Sequence, residues 1–466
     1  MTFDVIIKGG EVIDGSGKAR VRADVGLRGD TIAAVGDLSE DTASKIIDAK
    51  GKVVTPGFID MHSHSDLTIL MYPCGESSVS QGVTTSVGGQ CSFSAAPLNK
   101  HWSYAWWEGN WWHKVAPSKY YDEIVGCLDK AKIAVKEAHG LDVDWSSFGE
   151  WVSSVEKAGP GLNVRPLVGH GTIRTAVMGT DYRREATPSE IAEMVKYVDE
   201  AMDSGAAGIS NGADYAPNSY CSEEEECALV GAAAKKGGYF STHWRRTGLR
   251  ELQVAHLAPG WLTTPGASPK ITACIAEETL ALLDDAVKDG VNLGFDVIPN
   301  SLTGGVTHGK YVAGELGPWF KEAGSLEQLA KNLKAPDLRA EIREYIMSGR
   351  WFRLNPPIQP TWANGVRVGA STVDRYIGKT IAQIASETGV DSLEALMDVV
   401  CNDPYATGAW GEESDEVKRI FYRHPLAMVG MDTFLVDHTF EIKIPPYTLP
   451  NPNSFGGMAK FLRLYA

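Results

Sequence analysis

From Gly57 onward the chain repeats one pattern, a short apolar run, a loop and a helix-like stretch, and few folds accept that repetition. The apolar runs are GFIDMHSH, TTSVGG, VRPLVGHG, AAGISNG, GYFSTHW, LQVAHL, NLGFDVI and LAMVGMD. Between them lie amphipathic stretches such as TPSEIAEMVKYVDEAMDSG (187–205) and CSEEEECALVGAAAKKGG (221–238). The first carries its own boundary signals: Thr187 as N-cap, Pro188 in the first turn, Glu190 three residues after the cap and Gly205 at the end. Strands that alternate with helices pair in parallel, and as many strands as these match the positions of a closed barrel. The expected fold is therefore α/β, a (β/α)8 TIM-type barrel over residues 56–466.

The first 55 residues differ. FDVIIKGGEVID, ADVGLRGDTIAAVG and SKIIDAKGKVVTPG are short strand patterns separated by Gly, Asp and Lys turn signals, which predicts a small β-domain over 1–55. Within the barrel, HWSYAWWEGNWWHKVAPSKYY (101–121) holds five tryptophans and three tyrosines. This is too aromatic for a plain connection. A lid over an apolar substrate and an oligomer contact are both open readings.

Composition narrows the partners. A net charge of -15 offers no basic patch to neutralise phosphates, so nucleic acid is disfavoured. No run approaches the length of a membrane span, and the opening MTFDVIIKGGEVID has neither the basic start nor the apolar core of a signal peptide. The seven cysteines are scattered and form no CxxC pair, which fits free thiols in a reducing cytoplasm and leaves any one of them available as a ligand.

Parallel barrels gather their reactive groups at the C-terminal ends of the strands. Metal-capable side chains recur at those ends here. His62 and His64 close the first candidate strand, Cys91 follows the second, His170 ends the third, His243 the fifth, His256 the sixth and Asp432 the last. Residues i and i+2 of a strand share a face, so His62 and His64 converge. With Asp432 they make a zinc-like site, while His243 and His256 can hold a second cation. An anion has to bridge two such ions, and a cysteine thiolate from position 91 can do so. Asp432 is placed to take a proton from water and return it to a leaving nitrogen. The chemistry expected is hydrolysis of an amide or a related bond.

PGFIDMHSHSD, GVTTSVGGQCSFSAAP, VGHGTIR, GAAGISNGADYAP, GGYFSTHWR, LQVAHL and HPLAMVGMD occur in the order of the motif blocks of the amidohydrolase superfamily, and the chain resembles its D-aminoacylase (N-acyl-D-amino-acid deacylase) group. The resemblance implies a (β/α)8 barrel with a small β-sandwich and one or two zinc ions. By motif, Cys91, His243 and His256 would hold the tight metal and His62 and His64 the looser one, with Asp432 as general acid and base. Many relatives bridge their metals with a carboxylated lysine on strand 4; here that strand reads GAAGISNG, with no lysine. His170 would hydrogen-bond the substrate carbonyl or support a ligand.

The chain also departs from that group. The expected carboxylate anchors, a lysine, a tyrosine and an arginine, are replaced by Ala258, by VIPN (297–300) and by LPNPNS (449–454). Met431 and Thr433 flank Asp432 where small residues are usual. Strand, helix and strand need roughly 30 residues, yet His256 follows His243 by only 13. A stretch missing near Thr247–Gly248 is the favoured account. The chain stops at FLRLYA, so the C-terminal half of the sandwich is expected to be missing unless a second chain supplies it or the sequence is truncated; a homo-oligomer is also an open reading.

The reading is a cytoplasmic zinc amidohydrolase acting on a linear C–N bond of a small N-acylated amine or amino-acid derivative. Cyclic amide hydrolysis and a non-catalytic subunit are the alternatives. The EEEE run at 223–226 reads as the solvated start of a helix. Arg245 faces either a substrate anion or that run.

Overall fold

The computed structural model describes residues 2–101, 128–182, 184–212, 217–243, 260–263, 273–300, 303–304, 311–348, 354, 356, 362–410, 415–440 and 452–466. The chain divides into two compact units, Met1–Phe58 and Ile59–Ala466.

The first unit is a five-stranded sheet. Strands β1 (Thr2–Val12), β2 (Val21–Arg28), β3 (Thr31–Gly36) and β4 (Thr42–Asp48) run in the order β3-β2-β1-β4, with β5 (Val53–Val54) also beside β1. Phe3, Ile6 and Leu38 form its small core. The buried Asp24 carboxylate accepts from Gly9 N, at the register shift in β1, and from Leu38 N, just past β3.

From Phe58 onward come the strands β6 (Phe58–Asp60), β7 (Val83–Ser86), β8 (Asn163–Val164), β9 (Val168–Gly169), β10 (Gly208–Gly212), β11 (Tyr239–His243), β12 (Gly260–Thr263), β13 (Leu293–Val297) and β17 (Ala427–Val429). Six of them form a parallel sheet in the order β17-β13-β12-β11-β10-β9, and β6-β7-β8 form a second sheet. Strands β8 and β9 are halves of one passage interrupted at Pro166, which has no N–H to give. One half pairs with β7 and the other with β10, joining the two sheets. Met61 N donates to Val429 O, and a parallel bridge joins Ser63 to Thr433, so the first and last strands also meet.

Helices cover the strands with their apolar faces. Pro188–Asp203 begins with a capping box between Thr187 and Glu190 and buries Ile191, Met194, Val198 and Ala201 against the core that includes Ile209 and Phe240. Full burial of an Ile, Met or Val side chain such as these contributes about 1.5–3 kcal/mol.

Two features differ from the sequence expectation. LQVAHL lies outside the described residues, and the strand between β11 and β13 is Gly260–Thr263, beyond His256. Between β13 and β17 the chain also builds a helical insertion with a core of its own, including Leu316, Ile342, Leu396 and Val399. Its three-stranded antiparallel sheet has the order β14 (Thr303–Gly304), β16 (Thr407–Trp410), β15 (Val366–Ala370). Most of the aromatic stretch at 101–121 lies outside the described residues. Among the described residues no helix is long and apolar enough to cross a membrane.

Candidate metal centre

β6 ends at Asp60, and the two histidines sit just past its end in backbone that stays paired on both sides. Ser63 N donates to Val87 O and His64 N to Thr433 O. The side chain between the histidines points the other way, with Ser63 Oγ meeting Ser65, Ser86 and Val87 O. This is the alternation expected of an extended chain, and it leaves His62 and His64 on the same side, both 2% exposed.

Cys91 reaches them from the loop after β7. That loop is held by carboxylate and hydroxyl contacts rather than by a regular element. Asp66 accepts from Gly89 N and Ala95 N, and Gln90 spans from Met61 O to Ser241 Oγ. Ser92 N donates to Ser210 Oγ, and Ser92 Oγ accepts from Gly171 N. Gly89 has φ +74°, and a Cβ there would lie 2.0 Å from Leu167 O, so only glycine fits. Among the described residues three non-glycine residues have positive φ: Cys91 (56°), Ser92 (78°) and Asp432 (52°). Such backbone costs about 1–3 kcal/mol per residue and persists where the surroundings enforce it. Here it is confined to the two segments that complete one cluster.

The ligand-type atoms of His62, His64 and Cys91 all lie within 4.8 Å of one another. Cys91 Sγ is 3.2 Å from His62 Nε2 and 3.9 Å from His243 Nδ1. Asp432 Oδ1 is 3.2 Å from His64 Nε2 and 3.6 Å from His62 Nε2. The Asp432 side chain is 24% exposed, against 3% for each of these histidine side chains, so it is more open to solvent than either imidazole it touches. Its backbone is fixed by Asp432 N donating to His62 O, while Met431 N donates to the buried Asp60 carboxylate. On the far side of the imidazole, His62 Nδ1 meets Asp296 Oδ2 at 2.8 Å.

Electrostatics favour an anionic sulfur. Burial alone would raise the Cys91 thiol; the charge of His62 and contacts from His243, His62 and His64 instead bring it well below the ordinary thiol range. Burial opposes charge on His62 as well, but Cys91 and Asp296 hold its pKa well above the usual value. For His64, burial is outweighed by Asp432 and Cys91, which bring it up to about 9. A thiolate among imidazoles with a carboxylate beside them is a borderline-soft N, S, O donor set, and it suits zinc better than magnesium or calcium.

Of the residues singled out from sequence, His62, His64, Cys91 and Asp432 meet, and His243 faces the sulfur. His256 and Arg245 lie outside the described residues, as does Ala258. His170 stands apart: its Nε2 is 2.8 Å from Glu225 Oε1, and Arg174 Nη1 binds Glu225 Oε2. The EEEE run is corrected by this contact. Glu223 and Glu224 are exposed, but Glu225 and Glu226 are fully buried, and Glu226 accepts from Asn211 Nδ2 at 2.5 Å. The helix starting at Glu223 turns its third and fourth residues inward, which a run of identical charges conceals. Asp66, Gln90 and Asp296 are supporting residues that the sequence reading missed. Asp296 had a visible signal, a lone carboxylate at the end of the apolar run NLGFDVI.

Residues 45–253 match the model of the Amidohydrolase family. The D-aminoacylase of Alcaligenes xylosoxydans xylosoxydans is 38% identical over 246 residues, 53% of this chain and 45% of that protein, so the matched stretch spans less than half of that relative's length. The N-acyl-D-glutamate deacylase of the same organism is 28% identical over 465 residues, 99% of this chain and 78% of that protein. Among solved structures, an N-acyl-D-glutamate deacylase from Bordetella bronchiseptica, complexed with zinc and a phosphonate inhibitor, has a TM-score of 0.68 at 25% identity, covering 99% of this chain and 80% of that one. A D-aminoacylase structure described as having a binuclear metal centre gives 0.66 at 26% identity, covering 98% and 79%.

Proposed function

The chain being related to the amidohydrolases, and within them to the D-aminoacylase group, we propose that it is a zinc-dependent hydrolase of a linear C–N amide bond in a small N-acylated amine or amino-acid derivative. The observation that carries this is the convergence of His62, His64 and Cys91 within 4.8 Å, with Asp432 against both imidazoles.

His62, His64, Cys91 and Asp432 would hold zinc, and His243 and His256 would be further ligands for one or two ions. Zinc bound there supplies Lewis acidity, which acidifies water and polarises an amide carbonyl. The protein's own part is proton handling and alignment. Asp432 is open to solvent and anchored through its backbone to His62. It takes the proton of the attacking water and delivers it to the departing nitrogen. His170, whose Nε2 is occupied by Glu225, has its other nitrogen for a substrate oxygen. The division into a small β-sandwich domain over 1–55 and a hydrolase barrel over 56–466 belongs to the same reading.

The replacement of the three expected carboxylate anchors favours substrates that do not depend on a free α-carboxylate. The test is a panel of N-acyl amino acids of both hands, their amides and N-acylamines, assayed beside cyclic ureides with zinc-loaded and chelator-treated protein. Zinc-dependent release of a free amine from a linear amide is expected. Turnover confined to cyclic ureides, or none on any amide with zinc bound, would contradict the proposal.

A further inference from the structure

Asp296 is fully buried on β13, yet it reaches His62 past the end of the intervening β17. The passage is a notch one residue wide. Gly430 follows β17 directly and donates its N–H to Val297 O. A Cβ at Gly430 would lie 2.6 Å from Asp296 Oδ2 and 2.6 Å from His62 Cβ, closer than side-chain carbons come in practice. Glycine is thus required here by the contact itself; the residue has no positive φ to demand it.

An imidazole presents two nitrogens, and the partner of one decides what the other offers. A carboxylate that accepts from Nδ1 keeps the proton there and turns the Nε2 lone pair outward. His62 Nε2 is the atom that faces Cys91 Sγ and Asp432 Oδ1.

We propose that Asp296, admitted by the Gly430 notch, is a positioning residue that fixes the orientation and tautomer of His62 for metal binding. The inference rests on the zinc-site reading above. It assigns the glycine of GMD and the aspartate of GFDV to one device, joined across a strand.

The test is zinc affinity, measured on metal-free protein by competition with a chromophoric chelator. Asp296→Asn keeps the shape and removes the charge. Gly430→Ala keeps both residues and forces their side chains apart. Asp403→Asn alters another buried carboxylate, one that accepts from Ser371 Oγ and Thr372 N within the insertion, and serves as the control for general destabilisation. Asp296→Asn and Gly430→Ala are each expected to weaken zinc binding about 10–100-fold, with Asp403→Asn at the wild-type affinity. Wild-type affinity in both of the first two variants would overturn the inference while leaving the zinc hydrolase reading intact. Equal weakening in all three would also overturn it, by reducing Asp296 to a general stabiliser. A wild-type protein that takes up no zinc would remove the functional reading, and this inference with it.

Discussion

In the proposed mechanism two residues carry different weights at this centre. Cys91 contributes the sulfur around which the imidazoles gather, so Cys91→Ala should lower zinc occupancy and turnover together, read by metal analysis and amine release on the same sample. Asp432 sits beside both histidines but keeps solvent access. Asp432→Asn keeps a neutral oxygen donor beside the remaining ligands but cannot take a proton, so it should retain most of the metal and lose about 10²–10⁴-fold in turnover, the usual weight of a positioned acid or base. Full occupancy and activity in the first variant, or unimpaired rates in the second, would separate these residues from their assigned roles. Both were legible in the sequence because each ends a recognisable strand pattern. Asp296 shows only as a lone carboxylate in NLGFDVI; its pairing with His62, 234 positions away, has no local mark.

At the level of elements, the helix Glu223–Lys235 carries a second buried charge network. Burial would raise the Glu225 carboxyl, but His170 and Arg174 bring its pKa below the usual carboxylate value. A lowered folded-state pKa stabilises the fold above the unfolded value, and the contribution is lost as pH falls through the folded one. Glu225→Gln leaves the fully buried Arg174 without its counter-charge and should cost about 3–5 kcal/mol near neutral pH. The gap to wild type should close in acid, as urea unfolding at several pH values would show. A pH-independent gap would mean packing, and not charge, explains the loss. The sequence conceals this network because four successive glutamates span more than one helix face, and their identity does not show which of them turn inward.

For the whole molecule, the alternation of strand and helix made the parallel sheet legible, because parallel pairing with helical crossovers follows from periodicity. The insertion between β13 and β17 was not legible, since its apolar residues form a separate core without the strand-loop-helix rhythm. If one zinc site joins segments as far apart as His62, Cys91 and Asp432, metal should stabilise the fold globally. Free zinc at a hundredfold excess over its Kd adds about 2.7 kcal/mol by linkage, seen as a higher Tm that a chelator abolishes. The most direct measurement is diffraction from crystals grown with zinc, collected on both sides of the zinc absorption edge. An anomalous peak about 2.3 Å from the Cys91 sulfur, within ligand distance of His62 and His64, is the expected result. A map without anomalous density there, with that sulfur turned away from both imidazoles, would contradict the account.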